Sequence, residues 1–221
     1  MTAEPRTGRA PRGTLDRELI IRTATAIMES DGLEAVTMRR IATELKVRPM
    51  ALYTYFRSKD EILAAIYDDL LAGIALPAPG TGTVDDLREI LTGYYRLSTT
   101  YPELLQVTLG MGYSLISPHE LRVNEALMSI LTALYPDRHQ AVGIGTTLVR
   151  FAVGAASLHP LRQAWDDDPD YWERVRRTTG AVYARDFPTL HSFAEDLEAF
   201  TQEEIFTFGL EVILGRLPQT A

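Results

Sequence analysis

The stretch Thr37–Lys59, TMRRIATELKVRPMALYTYFRSK, decides the fold of this chain. Thr37 is a good N-cap for a short helix running to about Leu45, because its hydroxyl can accept a hydrogen bond from a free backbone N–H group. Pro49 predicts the start of a second short helix through Phe56, since its fixed φ suits the first helical turn. Two short helices joined by a turn of three residues form the helix-turn-helix arrangement.

This segment has an apolar side and an exposed side. Apolar residues occupy the positions that would pack the two helices together: Ile41, Ala42, Leu45, Val47, Leu52 and Phe56. The other positions predict an exposed face of basic, aromatic and small residues: Arg39, Pro49, Met50, Ala51, Tyr53, Thr54 and Tyr55. Such residues can approach phosphates and base edges, whereas Asp and Glu would be repelled. We therefore expect this face to bind double-stranded DNA.

Two further helices enclose the segment. Apolar residues recur at helical spacing over Leu15–Asp31, and Gly32 is suited to end that helix. Ser58 and Glu61 form a capping box, in which each side chain satisfies a free backbone N–H, and they predict the start of another helix. Residues 15–60 are therefore predicted to form the DNA-binding domain.

The residues before this domain differ from it in composition. Residues 1–14 are rich in Pro, Gly and Arg and lack an apolar period, so they predict a disordered basic arm. Arg6, Arg9 and Arg12 could reach an adjacent minor groove. A solvated tail that touches no DNA is an equally open alternative.

The remainder, residues 61–218, predicts a larger helical domain. Caps at Thr83, Ser117 and Thr201 set three of its helix starts. Helices are predicted over residues 83–100, 102–110, 117–135, 138–158, 171–178 and 201–214, with a loop at 111–116. Because no run of residues predicts a strand, the expected fold class is all-α.

Composition narrows the class of protein. A chain of 221 residues that is 46% hydrophobic can bury a substantial core. The absence of cysteine excludes disulfides and thiolate metal sites, and we expect no cofactor. No secretory leader or apolar run of membrane-spanning length is seen, so we expect a cytoplasmic protein without membrane contact.

Charge is distributed unevenly along the chain. The net charge of −8, taken alone, argues against a nucleic-acid partner. Residues 1–60, however, carry 11 Lys and Arg against 8 Asp and Glu, whereas the remainder carries 11 against 22. A polyanionic partner therefore belongs to the N-terminal part, although chance variation along the chain is an open alternative.

The N-terminal residues resemble the signature of the TetR family of transcriptional regulators. The resemblance extends over about residues 15–75 and is most specific in the Leu-Tyr-x-Tyr-Phe-x-x-Lys run that begins at Leu52. The matching positions are Asp31-Gly32-Leu33-Glu34-Ala35-Val36-Thr37, Arg39, Ile41-Ala42, Leu45, Val47 and Ala51-Leu52-Tyr53-Thr54-Tyr55-Phe56-Arg57-Ser58-Lys59.

The resemblance implies a function and a role for each matching residue. It implies a repressor that holds a palindromic operator as a homodimer until a small, largely apolar ligand, bound in the C-terminal domain, releases it. Bases would be faced by Arg39, Pro49, Met50 and Ala51. Phosphates would be contacted mainly by Tyr53, Thr54, Tyr55 and Lys59.

Two residues depart from the family pattern. Lys46 stands where the family usually has a turn glycine, and a positive φ there would cost Lys about 1 kcal/mol. Arg48 stands at the N-cap of the second short helix, where Ser, Thr or Asp would cap better, although an Arg there could reach a phosphate.

Two C-terminal helices, the one predicted at 138–158 and the last one, are apolar around more of their circumference than a surface helix needs. In TetR-like proteins the corresponding pair forms a four-helix bundle with its dimer mate. Gly143, Gly145 and Gly154 would permit close helix approach. The alternative is that both helices are covered within one chain.

Aromatic and apolar residues of the C-terminal domain predict a ligand pocket with hydroxyl groups. The candidates are Tyr94, Tyr95, Tyr101, Leu105, Met111, Tyr113, Met128 and Phe151. A magnesium-tetracycline site is not expected, because the two positions that hold histidine in such repressors align near Ala75 and Thr108. The four histidines, His119, His139, His159 and His191, have no metal-binding spacing.

Two other functions are open at this stage. An enzyme would need a nucleophile with its base, or a carboxylate pair, and no such local motif is seen. The acidic run Asp166-Asp167-Asp168 is better interpreted as a solvated loop than as a metal site. A DNA-binding protein of the same fold that responds to no effector is the second alternative.

Overall fold

The computed structural model describes residues 15–111 and 117–217, which form an all-α fold without a strand in either range. In chain order the helices are α1 (Arg17–Asp31), α2 (Met38–Glu44), α3 (Pro49–Leu52), α4 (Lys59–Leu71), α5 (Val84–Thr100), α6 (Pro102–Met111), α7 (Pro118–Leu134), α8 (Arg138–Asp166), α9 (Tyr171–Asp186), α10 (Pro188–Ser192), α11 (Ala194–Ala199) and α12 (Gln202–Leu214). The predicted fold class is confirmed. The predicted basic arm at residues 1–14 lies outside the described residues.

Side-chain caps explain where most of these helices begin. An oxygen of the N-cap side chain accepts a hydrogen bond from the backbone N–H three residues on at Asp16, Thr37, Ser58, Thr83, Ser117 and Thr201. Thr83 and Thr201 also form reciprocal capping boxes. The box predicted at Ser58 is only half formed, because the Glu61 carboxylate accepts from the Arg57 N–H at 2.7 Å instead.

The first four helices share one core. The apolar residues that were predicted to join α2 and α3 lie in it, with Leu45 and Val47 half-buried and the other four almost fully buried. Helix α4 contributes Ile62, Leu63 and Ile66 to the same core. The domain boundary predicted between residues 60 and 61 stays a prediction, but α4 packs as part of the N-terminal helices.

The second core is built around α8. This helix packs against α5, α7 and α12 through a stripe of mostly small buried residues, Ala141, Gly145, Leu148, Ala152 and Ala156. Small side chains allow neighbouring helices to approach closely, as at Gly145, where a Cβ would meet the Leu131 side chain at 3.0 Å. The larger C-terminal domain is thus a helical bundle in which α5, α7 and α12 pack against α8.

The structure extends two predicted helices. Helix α8 continues through Pro160 to Asp166, beyond the predicted end near residue 158, and α9 continues to Asp186 instead of ending near residue 178. Proline removes one backbone donor but does not stop a helix whose later residues are held by other contacts. Arg162 supplies such contacts, as described below.

Helix α8 is the one described helix with the length and apolar composition to cross a membrane. One of its faces instead packs against α5, α7 and α12. The core helix of a protein outside the membrane passes the same test of length and composition, so one such helix is weak evidence for a membrane span.

Candidate nucleic-acid interface

The turn between α2 and α3 is closed by backbone hydrogen bonds. The Val47 N–H donates to the Ala42 carbonyl at 2.9 Å, and the Lys46 N–H donates to the Thr43 carbonyl at 3.1 Å. Lys46 has φ of +54°, the left-handed backbone conformation that the turn glycine of the family would adopt without strain. The turn therefore carries local strain at an exposed, positively charged residue.

Arg48 is the N-cap residue of α3, as predicted, and its side chain makes no capping hydrogen bond. The helix is shorter than predicted, because it ends at Leu52 and not at Phe56. The N–H groups of Tyr55 and Phe56 both converge on the Leu52 carbonyl, at 2.9 and 3.0 Å. These bonds fold the chain into a tight turn that keeps Phe56 in the core.

The predicted DNA-contacting residues form an exposed surface on this frame. Met50 is 74% exposed and Tyr53 is 46% exposed, so both large side chains are accessible to a partner. Ala51 is half-buried, and the other exposed members are Arg39, Arg48, Pro49 and Thr54. The contacts of these residues with bases and phosphates stay predictions.

Tyr55 differs from the rest of the predicted set because its side chain is half-buried. Its hydroxyl donates to the Leu15 carbonyl at 2.6 Å, and its own carbonyl accepts from the Arg17 guanidinium at 2.5 Å. Arg17 also lies 4.0 Å above the centre of the Phe56 ring. The expectation that Tyr55 faces outward is therefore corrected: its ring and hydroxyl join the turn after α3 to the start of α1.

Basic side chains near this surface differ in their partners. Arg40 forms an ion pair with Asp31 at 3.1 Å, whereas Arg39 takes part in no ion pair within the described residues. Lys59, the first residue of α4, is half-buried, and its ammonium lies 3.4 Å from the Leu33 carbonyl. Arg39 thus keeps its full set of donors for a base edge, while Lys59 is oriented by the protein.

The predicted ligand residues take several places in the C-terminal bundle. Leu105 is buried, Met128 and Phe151 are partly buried, and the Tyr95 ring stacks on Phe206 of α12 at 3.9 Å between centres. The Tyr94 hydroxyl accepts a hydrogen bond from Tyr67 of α4 at 2.9 Å. The Met111 side chain and Tyr113 lie outside the described residues.

Tyr101 differs from the other members of this set. Its hydroxyl donates to the Glu29 carboxylate of α1 at 2.9 Å, so the side chain joins the end of α5 to the DNA-binding helices. Its packing neighbours belong to the N-terminal core. The assignment of Tyr101 to a pocket inside the C-terminal bundle is therefore not supported by its position.

Two buried hydroxyl groups on α5 have no hydrogen-bond partner within the described residues. They are the Tyr95 hydroxyl and the hydroxyl of Ser98, a residue that is fully buried. The residues are three positions apart and lie on the same face of the helix. Leaving a buried hydroxyl unpaired costs about 1–3 kcal/mol, so these groups indicate a place for a polar ligand atom or a water molecule. Sequence reasoning missed Ser98, because one serine in an apolar helix carries no distinct signal.

Helices α4 and α7 are joined by a polar cluster. Asp68 of α4 accepts a hydrogen bond from the His119 N–H at 2.8 Å and lies 3.0 Å from Nδ1 of the same histidine. Burial acts to raise the pKa of Asp68, but hydrogen bonds from Ser117 and His119 hold it below its usual value. The neighbouring Glu120 has a raised pKa because of burial and the charge of Asp68. The cluster connects a helix of the N-terminal core to the start of α7.

A tetracycline-type metal site finds no support in these residues. Thr108 donates its hydroxyl to the backbone carbonyls of Leu104 and Leu105, both at 3.0 Å. Within the described ranges no cluster of three His, Asp or Glu residues could hold a metal ion. Asp166 and Asp168 of the acidic run are paired with Arg162 and Arg174.

Two family models match this chain, one in its N-terminal part and one over its larger C-terminal part. Residues 20–66 match the model described as bacterial regulatory proteins, tetR family. Residues 76–219 match the model described as tetracyclin repressor-like, C-terminal domain.

Individual relatives and structures agree with these matches. The HTH-type transcriptional repressor DrrR1 of Streptomyces coeruleorubidus is 26% identical over 229 residues, covering 96% of this chain and 80% of that protein. The class C tetracycline repressor protein of Escherichia coli is 40% identical over 57 residues, which is 26% of each chain. Among solved structures, ActR of Streptomyces coelicolor in complex with actinorhodin has a TM-score of 0.74 at 24% identity, covering 93% of this chain and 96% of that one.

Proposed function

The chain belongs to the TetR family of bacterial transcriptional regulators, and we propose that it represses by binding a palindromic operator as a homodimer. A small, largely apolar effector bound in the C-terminal domain releases the DNA. The observation that carries the proposal is the exposed surface of α2, α3 and the following turn. It presents Arg39, Met50 and Tyr53 on a rigid helix-turn-helix frame.

The DNA contacts follow from the places of these side chains. Arg39 and the start of α3, at Pro49 to Ala51, enter the major groove and face base edges. Tyr53, Thr54 and Lys59 contact the phosphates on either side. Arg17 extends the phosphate-contacting set, because it is exposed and held beside the turn by Phe56 and the Tyr55 carbonyl.

The dimer is supported by apolar side chains left on the surface of two helices. In α12, Ile205, Phe208 and Val212 are exposed, with Phe208 at 67%, and in α8 Val142 is exposed. Large apolar side chains grouped in this way mark interaction surfaces. A two-fold dimer also places two recognition helices about 34–36 Å apart, so that they read successive major grooves of a palindrome.

The effector site is supported by the unpaired hydroxyls of Tyr95 and Ser98 on α5. ActR, which shares the fold, was solved in complex with actinorhodin. In this chain a largely apolar ligand with hydroxyl or carbonyl groups would satisfy the two unpaired hydroxyls. The Tyr67–Tyr94 and Asp68–His119 contacts provide a route from the bundle to α4 and the DNA-binding core. The protein acts in the cytoplasm, where the operator DNA of a bacterium lies.

Selection of bound sequences from random duplex DNA tests the proposal that the protein binds a palindromic operator. We expect a two-fold symmetric sequence to be enriched. Enrichment of no sequence, or of a single half-site without its inverted repeat, contradicts the proposal. The Arg39→Ala variant should enrich a sequence of the same symmetry that has lost its base preference at one position in each half-site.

Release of the protein from the recovered duplex tests the proposal that a small effector controls DNA binding. Candidate apolar ligands with hydroxyl or carbonyl groups are added to the complex, and the fraction of bound DNA is measured. We expect release by at least one such ligand, and weaker release from a Ser98→Ala variant. Operator affinity that no small molecule changes would favour the alternative, an effector-independent DNA-binding protein of the same fold.

A further inference from the structure

A cavity on the outside of the C-terminal bundle lies between helix α7 and the connection from α4 to α5. Its volume is about 550 Å³, which is within the range of about 300–1,000 Å³ typical of small-molecule sites. Residues 76–82 form one wall, and α7 forms the other between Leu121 and Ile130. We call this cavity the outer groove. Val123 and Leu127 project from a different side of α7 into the core, so the groove is separate from the proposed effector site on α5.

The walls of the outer groove are formed before a ligand arrives. The backbone N–H and the hydroxyl of Thr81 both donate to the Ala78 carbonyl, at 3.1 and 2.9 Å. Two prolines of the same connection have fixed φ angles. A Cβ at Gly82 would overlap the Ile130 side chain, so the connection lies directly on α7. A ligand therefore has little of the chain to order when it binds.

The groove has an apolar floor and an apolar rim. Ile130 is buried and Ala126 is partly buried at its floor, and both belong to α7. Leu76 of the connection and Leu121 of α7 are exposed on opposite walls, with Leu121 at 55%. An apolar molecule that lies between these two leucines would remove both of them from water, which favours binding.

Three polar side chains of the same α7 wall have no partner in the protein. Arg122 and Glu125 form no ion pair with any residue in the described ranges, and the Ser129 hydroxyl makes no hydrogen bond there. An apolar cavity with a few free polar groups has the composition of a small-molecule site. The polar groups therefore indicate which ligand chemistry the groove selects.

The charges at the groove favour a ligand that carries both signs. Arg122 and Glu125 are three positions apart, so they lie within one turn on the same side of α7. A purely anionic ligand would be attracted by Arg122 and repelled by Glu125, and a purely cationic one would meet the reverse. A molecule with a carboxylate and an ammonium group close together complements both residues.

We propose that the outer groove is a second ligand site, which binds a small zwitterion with an apolar body, such as an apolar amino acid. The carboxylate of the ligand pairs with Arg122 and its ammonium group with Glu125. The apolar body lies on Ala126 and Ile130, between the leucines of the two walls. This site does not depend on the operator, the dimer or the effector of the proposed function.

Three probes with the same phenyl ring and carbon chain test the ligand class. Homophenylalanine carries both charges, phenylbutanoate carries only the carboxylate, and phenylpropylamine carries only the ammonium group. Binding to the full-length protein is measured at neutral pH by saturation-transfer NMR titration. We expect homophenylalanine to bind with a dissociation constant on the order of 1 mM, as is usual for a ligand of this size. Each single-charge probe should bind about threefold more weakly, because an exposed ion pair contributes little.

Two charge-reversal variants test the roles of the polar residues. Arg122→Glu makes the groove acidic, so phenylpropylamine should become the tightest of the three probes. Glu125→Arg makes the groove basic, so phenylbutanoate should become the tightest. Both side chains are exposed, and circular dichroism checks that each variant keeps its helix content.

A matched pair of leucine variants tests the place of the apolar body. Leu121→Ser removes the rim of the groove on α7 and should weaken all three probes by about two- to fivefold. Leu109→Ser removes a similarly exposed leucine, at 51%, from α6 and should leave binding unchanged. Ser98→Ala, in the proposed effector site, should leave it unchanged as well.

The results separate the outer groove from other sites. A change of the preferred probe in both charge-reversal variants, with loss of affinity in Leu121→Ser alone, supports the proposal. The same order of probes in the native protein and both charge-reversal variants overturns it. Weaker binding in Ser98→Ala, or no binding of homophenylalanine at about 10 mM, also overturns it. Each of these outcomes leaves the DNA-binding proposal standing, because operator selection tests that separately.

Discussion

Large apolar side chains turn inward in the N-terminal helices, whereas between α8 and α12 many of them face outward. Phe56 and Leu52 are fully buried, and the exposed apolar residues of that region are the ones predicted to meet DNA. In α12, by contrast, Phe206 is buried while Phe208, two residues later, is 67% exposed. The N-terminal core is complete within one chain, whereas the exposed apolar residues of α12 lie on the surface that we propose as the dimer interface.

The largest expected effect is on the N-terminal core. Phe56→Ala should cost about 3–5 kcal/mol of unfolding free energy, because it leaves a cavity and removes the ring on which Arg17 rests. Phe208→Ala serves as the matched control, since it removes an exposed ring and should act only on the dimer. Urea unfolding of both variants measures the difference. Equal losses of stability would contradict the comparison.

The second largest loss of stability is expected at the hydrogen bond between Asp68 of α4 and His119 at the start of α7. Asp68→Ala should destabilise the protein by about 2 kcal/mol, because it removes a charged acceptor from the His119 N–H. The pKa of Asp68 is lowered in the folded state, so this stability is present above the usual carboxyl pKa and is lost as the pH falls through the lowered one. Thermal unfolding from pH 7 to pH 2 should show the native protein and Asp68→Asn converging at the acidic end. A constant difference between them would show that the charge of Asp68 is not involved.

DNA binding should divide the exposed residues into two classes. Arg39→Ala should lose about 1–3 kcal/mol of discrimination at one base position in each half-site. Tyr53→Ala should weaken all sequences about equally, because a phosphate contact carries no sequence information. Affinities for the selected duplex and its point variants measure both effects. A uniform loss for Arg39→Ala would disprove its base-reading role.

The smallest effect is expected at the turn of the helix-turn-helix. Lys46→Gly should stabilise the protein by about 1 kcal/mol, because glycine adopts a φ of +54° without the strain that a side chain causes. Chemical unfolding at high salt isolates this backbone effect from the loss of charge. Destabilisation by Lys46→Gly would mean that the Lys46 side chain makes a stabilising contact.

Local features of the sequence were enough to predict most of the N-terminal structure. The Thr37 cap and the Pro49 helix start each depend on a few neighbouring residues. The bonds of Tyr55 with Leu15 and Arg17 join residues about 40 positions apart, and no local pattern indicates them. The base and phosphate roles of the exposed residues stay predictions, because they depend on DNA.

The C-terminal domain was less predictable for physical reasons. The helix predicted to end near residue 158 continues to Asp166, and the long-range bond of Arg162 to Glu198 holds its later residues in place. Pocket and core residues share one composition, so the sequence could not separate Tyr101, which binds Glu29, from Tyr95, which faces the bundle. The unpaired hydroxyl of Ser98 becomes visible only once burial is known.

Footprinting of the protein on a selected duplex tests whether a homodimer reads a palindromic operator. Hydroxyl-radical cleavage is measured along both strands with the native protein bound. A homodimer bound to a palindrome should give two protected patches, related by a two-fold axis and centred about one helical turn apart on the same face of the DNA. A single protected patch, or protection without symmetry, would contradict the reading of a palindrome by a dimer.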